Sequence, residues 1–364
     1  MTGDWGGVRT SLQDGGINLR AHFTTESAGN PIGGNYQTVA YTQQVDFGAD
    51  FDLQRLMNIP DAKIQVTLTH RAGRSLSADA LGSQFAVQEL YGAGQNFRLA
   101  EMNYQQDLFD HEATIEVGWS PMGDDFAGLP AYCNFQNGVI CGHANAMTTD
   151  SGAHNLPTPQ WGVRINVRPK PEFYVQAGDY QFNPNEGNAD AGFDLNTRSP
   201  GVLLPVELGW LPGHGNGELP GDVKIGGYVM ADQMVFREEP SSDRGLTLGF
   251  MATAGDRNTA KYSYFWIVGG HYQGTFPGRD DDVVAFMLAY ARTNSRLTRY
   301  QQDRDAVAPG SGIQTYESIA EIDYGARLAP WLMLRPNLQY VIHPGGTGKI
   351  PDALVIGLTT KVTF

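Results

Sequence analysis

Four charged residues, Glu26, Arg71, Glu101 and Arg164, are the first candidates for chemistry in this 364-residue chain. Each falls on the polar parity of a segment in which apolar and polar residues alternate, so each projects from the same kind of strand face. A guanidinium fork opposite a carboxylate places donors and acceptors within one small space. Glu26 and Arg71 both end up-running segments on strands that should lie close together. They either bracket a polar molecule between them or form an ion pair that stiffens a wall. A second group, Asp124, Asp125, Phe126 and Phe135, sits in the 122–160 stretch, which is too long for a hairpin turn. That stretch is expected to fold inward and present these four side chains. The alternative is an ordinary surface loop.

Other chemistries find little support. No Gly-x-Ser-x-Gly elbow or His-Glu-x-x-His motif occurs. The Gly-rich stretches 92–94 and 213–217 are turns with no helix following, so they do not cradle phosphate. Asp280, Asp281 and Asp282 could hold a cation, but cap a short solvated turn more simply. Cys133 and Cys141 stand close together, and a disulfide between them is expected, implying an oxidising compartment. The rival is metal binding with His143 and His154, whose spacing does not match a zinc pattern. No catalytic residue, cofactor or metal is assigned.

The elements that must position these residues announce themselves by period two. Leu354, Ile356, Leu358, Thr360, Val362 and Phe364 oppose Val355, Gly357, Thr359, Lys361 and Thr363. Similar alternation runs through 17–27, 61–71, 113–121, 160–168, 172–182, 314–328 and 331–343. The segments are about 10 residues long, against ~5–6 for ordinary soluble strands. Their polar face carries both signs of charge: Arg20, Glu26, Arg71, Glu101, Arg164, Glu321, Arg327 and Arg335. Short connections (107–112, 169–172, 277–282, 329–330) interleave with long ones (74–95, 122–160, 294–312). These features describe an antiparallel barrel with a wet lumen, short turns at one rim and long loops at the other. A soluble jelly roll or propeller is the competing architecture. Fourteen segments are clear. Residues 222–238 form either one bent strand or two joined near 230–232, and two strands there give a 16-stranded barrel. The expectation is one domain, 1–364, with residues 1–16 as an N-terminal periplasmic segment. Short helices are expected after Asp4 and over 53–58, the latter capped by Asp52 and stopped by Pro60. No cleavable leader stands before Gly3, so a mature form is expected.

Composition agrees. The chain has 45 Gly, 16 Tyr and 17 Phe, and charged residues reach only 18%, against ~25% in an ordinary soluble domain. The longest apolar run, 283–291, is too short for a membrane helix. A net charge of −14 argues against a nucleic-acid partner.

Several motifs resemble the carbohydrate-selective porins of OprB type. These are Gly3-Asp4-Trp5-Gly6-Gly7-Val8-Arg9, Thr69-His70-Arg71-Ala72-Gly73, and the block from Arg98-Leu99-Ala100-Glu101 through Asp107-Leu108-Phe109-Asp110. Asp125-Phe126-Ala127, Cys133-Asn134-Phe135-Gln136-Asn137 and Cys141-Gly142 are similar to that family's long third loop. Pro330-Trp331-Leu332, the run from Leu338 to Gly346, and the terminal Val362-Thr363-Phe364 complete the likeness. The resemblance spans the chain. It implies a 16-stranded transmembrane β-barrel in a Gram-negative outer membrane, not an enzyme, that admits neutral mono- or oligosaccharides by diffusion. Glu26 and Arg71 would then bracket the hydroxyls of a hexose, with Glu101, Arg164, Asp124, Asp125, Phe126 and Phe135 also lining the channel. Lipid and lipopolysaccharide would surround the wall, and a homo-oligomer is possible. A general porin on the same scaffold is the nearest alternative, and a β-rich carbohydrate-active enzyme the more distant one. The short connection near 230–232 departs from the family pattern.

Overall fold

The computed structural model describes residues 3–129, 133–139, 145–196, 199–213, 218–240, 242–310 and 312–364. All its strands join one antiparallel sheet. The first half comprises β1 (Ile17–Ile32), β2 (Val39–Asp52), β3 (Ala62–Gly73), β4 (Phe97–Leu108), β5 (Ala113–Ser120), β6 (Gln160–Lys170) and β7 (Phe173–Phe182). Then come β8 (Gly201–Leu203), β9 (Val206–Trp210), β10 (Gly221–Ile225), β11 (Tyr228–Arg237) and β12 (Gly245–Ala254). The chain finishes with β13 (Tyr262–Gln273), β14 (Val283–Thr293), β15 (Tyr316–Ala329), β16 (Leu332–Ile342) and β17 (Ala353–Thr363). β17 returns to β1, with Glu26 opposite Thr359, so the sheet closes and leaves no edge.

β8 and β9 pair with the same neighbour, β7, one after the other. Leu204 and Pro205 separate them. Proline has no N–H to give to a ladder, so the pairing breaks there and resumes. The two pieces form one wall strand, and the barrel has the expected 16. The joint between β10 and β11 is a correction. It falls at Gly226 and Gly227, where Gly226 N donates to Tyr228 O at 2.9 Å, and not near 230–232. Tyr228, Met230, Asp232 and Met234 continue one inward-facing alternation without interruption, so the break had to precede Tyr228.

Two helices sit by the rim of short turns. Asp52 accepts from Gln54 N and Arg55 N and so starts α2 (Leu53–Met57), and Asn58 ends it in a left-handed conformation. Arg55 Nη1 then donates to Gln13 O at 3.1 Å, tying down α1 (Val8–Asp14). Asp4 serves that helix differently from the expected cap. Gly7 holds the cap position, and Asp4 Oδ1 accepts from Thr10 N and Oγ1.

The core lies inside the barrel. Loop 74–96 and the described residues of the second long loop, 121–129, 133–139 and 145–159, turn inward and pack against the lumen face of β11–β14. Leu76, Leu81, Phe85, Val87, Leu129, Phe135 and Val139 of the loops meet Met230, Met251, Phe265, Ile267, Ala285 and Met287 of the wall. The apolar run 283–291 is thereby explained. Its odd residues face the plug, and its even ones, such as Phe286 at 47% exposure, face outward.

Candidate functional site

Buried glutamates of the wall hold the plug in place. Glu317 on β15 accepts from Gln84 N (2.9 Å), Phe85 N (3.2 Å) and Gly345 N (2.6 Å). Glu321, two residues on, accepts from Gln136 N (2.8 Å) and Asn137 N (3.1 Å). Glu207 on β9 accepts from Ala127 N at 3.0 Å and from Tyr174 Oη and Tyr228 Oη. Glu26 on β1 accepts from Leu90 N at 3.1 Å. A loop inside a barrel would otherwise leave backbone donors without water or partner, at about 1–3 kcal/mol each. Amide side chains complete the seam: Asn337 Nδ2 and Thr359 Oγ1 donate to Gln136 Oε1, and Asn137 Nδ2 donates to Gln339 Oε1.

The opposite wall is polar and carries a continuous belt from β1 to β7. Arg20 pairs with Asp50 at 2.8 Å and reaches Thr67, whose hydroxyl donates to Glu101 at 2.7 Å. Asn103 donates to both Glu101 and Glu116. Arg164 pairs with Glu116 at 2.8 Å and with Asp125 at 2.9 Å. Tyr180 Oη closes the belt on Asp125 Oδ2 at 2.9 Å. The Tyr180 ring lies against Gly162 and Gly178. A Cβ at Gly162 would stand 2.2 Å from the ring, so only glycine allows that approach.

Between polar wall and plug lies a cavity of about 750 Å³. Gln44 and Arg71 reach it from β2 and β3, Glu89 and Tyr91 from the first loop, Asp124 and His154 from the second, and Lys224 from β10. Arg71 Nε donates to Gln44 Oε1 at 2.6 Å and its Nη2 to Leu156 O at 3.5 Å. Lys224 pairs with Asp222 at 3.2 Å. Asp124 is open to the channel. Its depth within the barrel, then the carboxylates of Asp125, Glu101 and Glu116, push its carboxyl up to about 8. Burial and then Glu116 push the Asp125 carboxyl up, against the opposing pull of Arg164.

The eight side chains singled out in the sequence divide by position. Arg71 and Asp124 border the cavity. Glu101, Arg164 and Asp125 belong to the belt. Glu26 does point inward, yet it is fully buried beneath the first loop, spent on Leu90 N rather than open to a solute. Phe126 and Phe135 are corrections to the expectation that they face the channel. Phe126 packs edge-on against Tyr180 beside Met122, and Phe135 joins the plug core. Apolar rings on a loop inside a barrel find a dry wall to cover. The disulfide is not supported: Cys141, like His143, lies outside the described residues, and no disulfide is found among them. Residues 122–129, 133–139 and 145–159 lie inside the barrel, where Ala127, Gln136 and Asn137 hydrogen-bond to wall glutamates. Glu89, Tyr91, Lys224 and Gln44 were missed. Gln44 and Lys224 sit on inward parity and were legible as such, whereas a loop gives no period from which to place Glu89 and Tyr91.

The pattern of the carbohydrate-selective porin, OprB family, matches residues 36–230 and 226–364. Porin B of Pseudomonas aeruginosa is 31% identical, aligned over 100% of this chain and 91% of its own length. The putative porin QuiX of Acinetobacter baylyi is 29% identical over 100% of this chain and 93% of its own. Among solved structures, the high-pH structure of Pseudomonas putida OprB superposes with a TM-score of 0.95 at 31% identity, covering 100% of this chain and 98% of that one.

Proposed function

The chain belongs to the carbohydrate-selective porin family of the outer membrane, and from that premise we propose a passive channel that prefers neutral mono- or oligosaccharides. The observation that carries this preference is the mixed sign of the cavity. Arg71 and Lys224 face the same space as the carboxylate of Glu89 and the carboxyl of Asp124, which is largely protonated at neutral pH. A solute crossing it must exchange part of its hydration for wall contacts and still be released. Hydroxyl groups both donate and accept, so a wall offering both suits them. A phosphate or carboxylate solute would gain from the cations and lose by the carboxylates. The family and the barrel are those of a channel, and the belt carboxylates are tied into wall and plug hydrogen bonds. The apolar outer wall, with Phe47, Val117 and Ile356 exposed, would meet lipid and lipopolysaccharide.

Planar-bilayer recordings across a panel of sugars test this reading. A steady conductance that neutral sugars reduce in a saturable manner is expected. Flux ordered by solute size alone, without saturation, would make the protein a general porin. A folded, detergent-purified sample without channel activity would remove both.

A further inference from the structure

We propose that Tyr91 is the stacking platform on which this channel selects pyranose sugars, fixed at its post by the buried carboxylate of Glu26. The proposal rests on the reading of the cavity as a sugar path and deepens it.

A pyranose ring has two chemically different aspects, a rim of hydroxyls and faces made of C–H bonds. Charged side chains serve the rim. They do not distinguish a ring from an open-chain polyol of the same size, because both offer the same hydroxyls. An aromatic face makes that distinction, since it covers the apolar side of the ring while the rim stays hydrogen-bonded. Among the described residues bordering the cavity, Tyr91 is the only Phe, Tyr or Trp. It is 36% exposed. The other described aromatics of the two inward loops are otherwise engaged: Phe85 stacks on Tyr262, Phe126 lies against Tyr180, and Phe135 is buried in the plug.

A platform on a loop is useful only if the loop is held, because ordering it at the moment of binding would cost affinity. The residues just before Tyr91 are fastened one by one. Gln88 Nε2 donates to Glu26 O at 2.9 Å. Glu89 N donates to Gln136 O at 2.9 Å on the second loop. Leu90 N donates to Glu26 Oε2 at 3.1 Å, and Tyr91 N to Gln88 O at 3.4 Å. Glu26 is thus a positioning residue, remote from the solute and acting through the 88–91 turn. Glu89, two residues before Tyr91, and Arg71 border the same cavity and can take the hydroxyl rim.

The test compares current block by a glucopyranose and by an open-chain hexitol. For the unaltered protein the pyranose should block at the lower concentration. Tyr91→Ala should raise the half-blocking concentration of the pyranose about fivefold, without lowering the KCl conductance and with little effect on the hexitol. Tyr91→Phe should retain the block. Glu26→Ala should weaken the pyranose block as Tyr91→Ala does, and Glu26→Gln, which keeps an acceptor for Leu90 N, should restore it. Pyranose block unchanged in Tyr91→Ala, or lost equally in Tyr91→Phe, overturns the platform while leaving the sugar channel intact. An unaltered protein blocked by no sugar at all removes the sugar-channel reading and the platform together.

Discussion

The two walls of the lumen obey different rules although one sheet builds both. On β11–β14 the inward side chains are Met230, Met251, Phe265, Ile267, Ala285 and Met287, and the loops cover them completely. On β1–β7 they include Arg20, Asp50, Thr67, Glu101, Asn103, Glu116 and Arg164, joined hand to hand by hydrogen bonds and ion pairs. A wide barrel cannot be made selective by its strands alone, because its lumen is far larger than a small solute. The dry wall gives the loops something to dock on. The wet wall and the docked loops then define the narrow space between them. Strand alternation therefore has two meanings in this molecule: apolar and polar where the inner face is wet, apolar on both sides where it is covered.

The sharpest way to break this division is to wet the dry wall. Met287→Asp places an unpaired carboxylate against the plug, at a site only 3% exposed. A loss of about 4 kcal/mol in docking is expected, read as a larger and less sugar-sensitive conductance. An unaltered channel would show that the plug does not depend on this wall. A smaller effect should follow from Glu321→Ala, which strands the N–H groups of Gln136 and Asn137 at a cost of about 3 kcal/mol. Limited proteolysis within 133–139 should accelerate, whereas Glu321→Gln, still able to accept one bond, should fall between the two. The smallest effect concerns pH. Asp124 is neutral below about 8 and charged above it. Cation preference should rise between pH 6 and pH 9, seen as a drift in reversal potential across a KCl gradient. Asp124→Asn should reduce that drift, and an identical drift in the variant would assign it to other groups.

Much of the barrel was legible in the sequence, because period two needs no partner to be seen. β16 (Leu332–Ile342) and β3 (Ala62–Gly73) fall within two residues of the 331–343 and 61–71 expected of them. The turn at Gly226 and Gly227 was misplaced because a two-residue joint leaves almost no polar interruption. The plug was less legible, and the reason is distance. Glu26, Glu317 and Glu321 hold backbone N–H groups 28 to 233 residues away along the chain, and no local pattern marks a carboxylate for that work. Two clues did exist. The run 283–291 has no polar face, which in a barrel wall means that something covers its inner side. Phe126 and Phe135 lie on a loop with no core of its own, and such rings go where apolar surface awaits them.

The central claim is that the dry wall holds the plug while the wet side sorts the solute. Arg71→Ala tests it most directly, because Arg71 borders the cavity from the wet wall and takes no part in the plug core. Sugar block and KCl conductance should be measured on the same reconstituted channels. The account predicts that the half-blocking concentration of a neutral sugar rises by a larger factor than the conductance changes. A change in conductance with sugar block preserved would contradict it and leave Arg71 a charge on the wall.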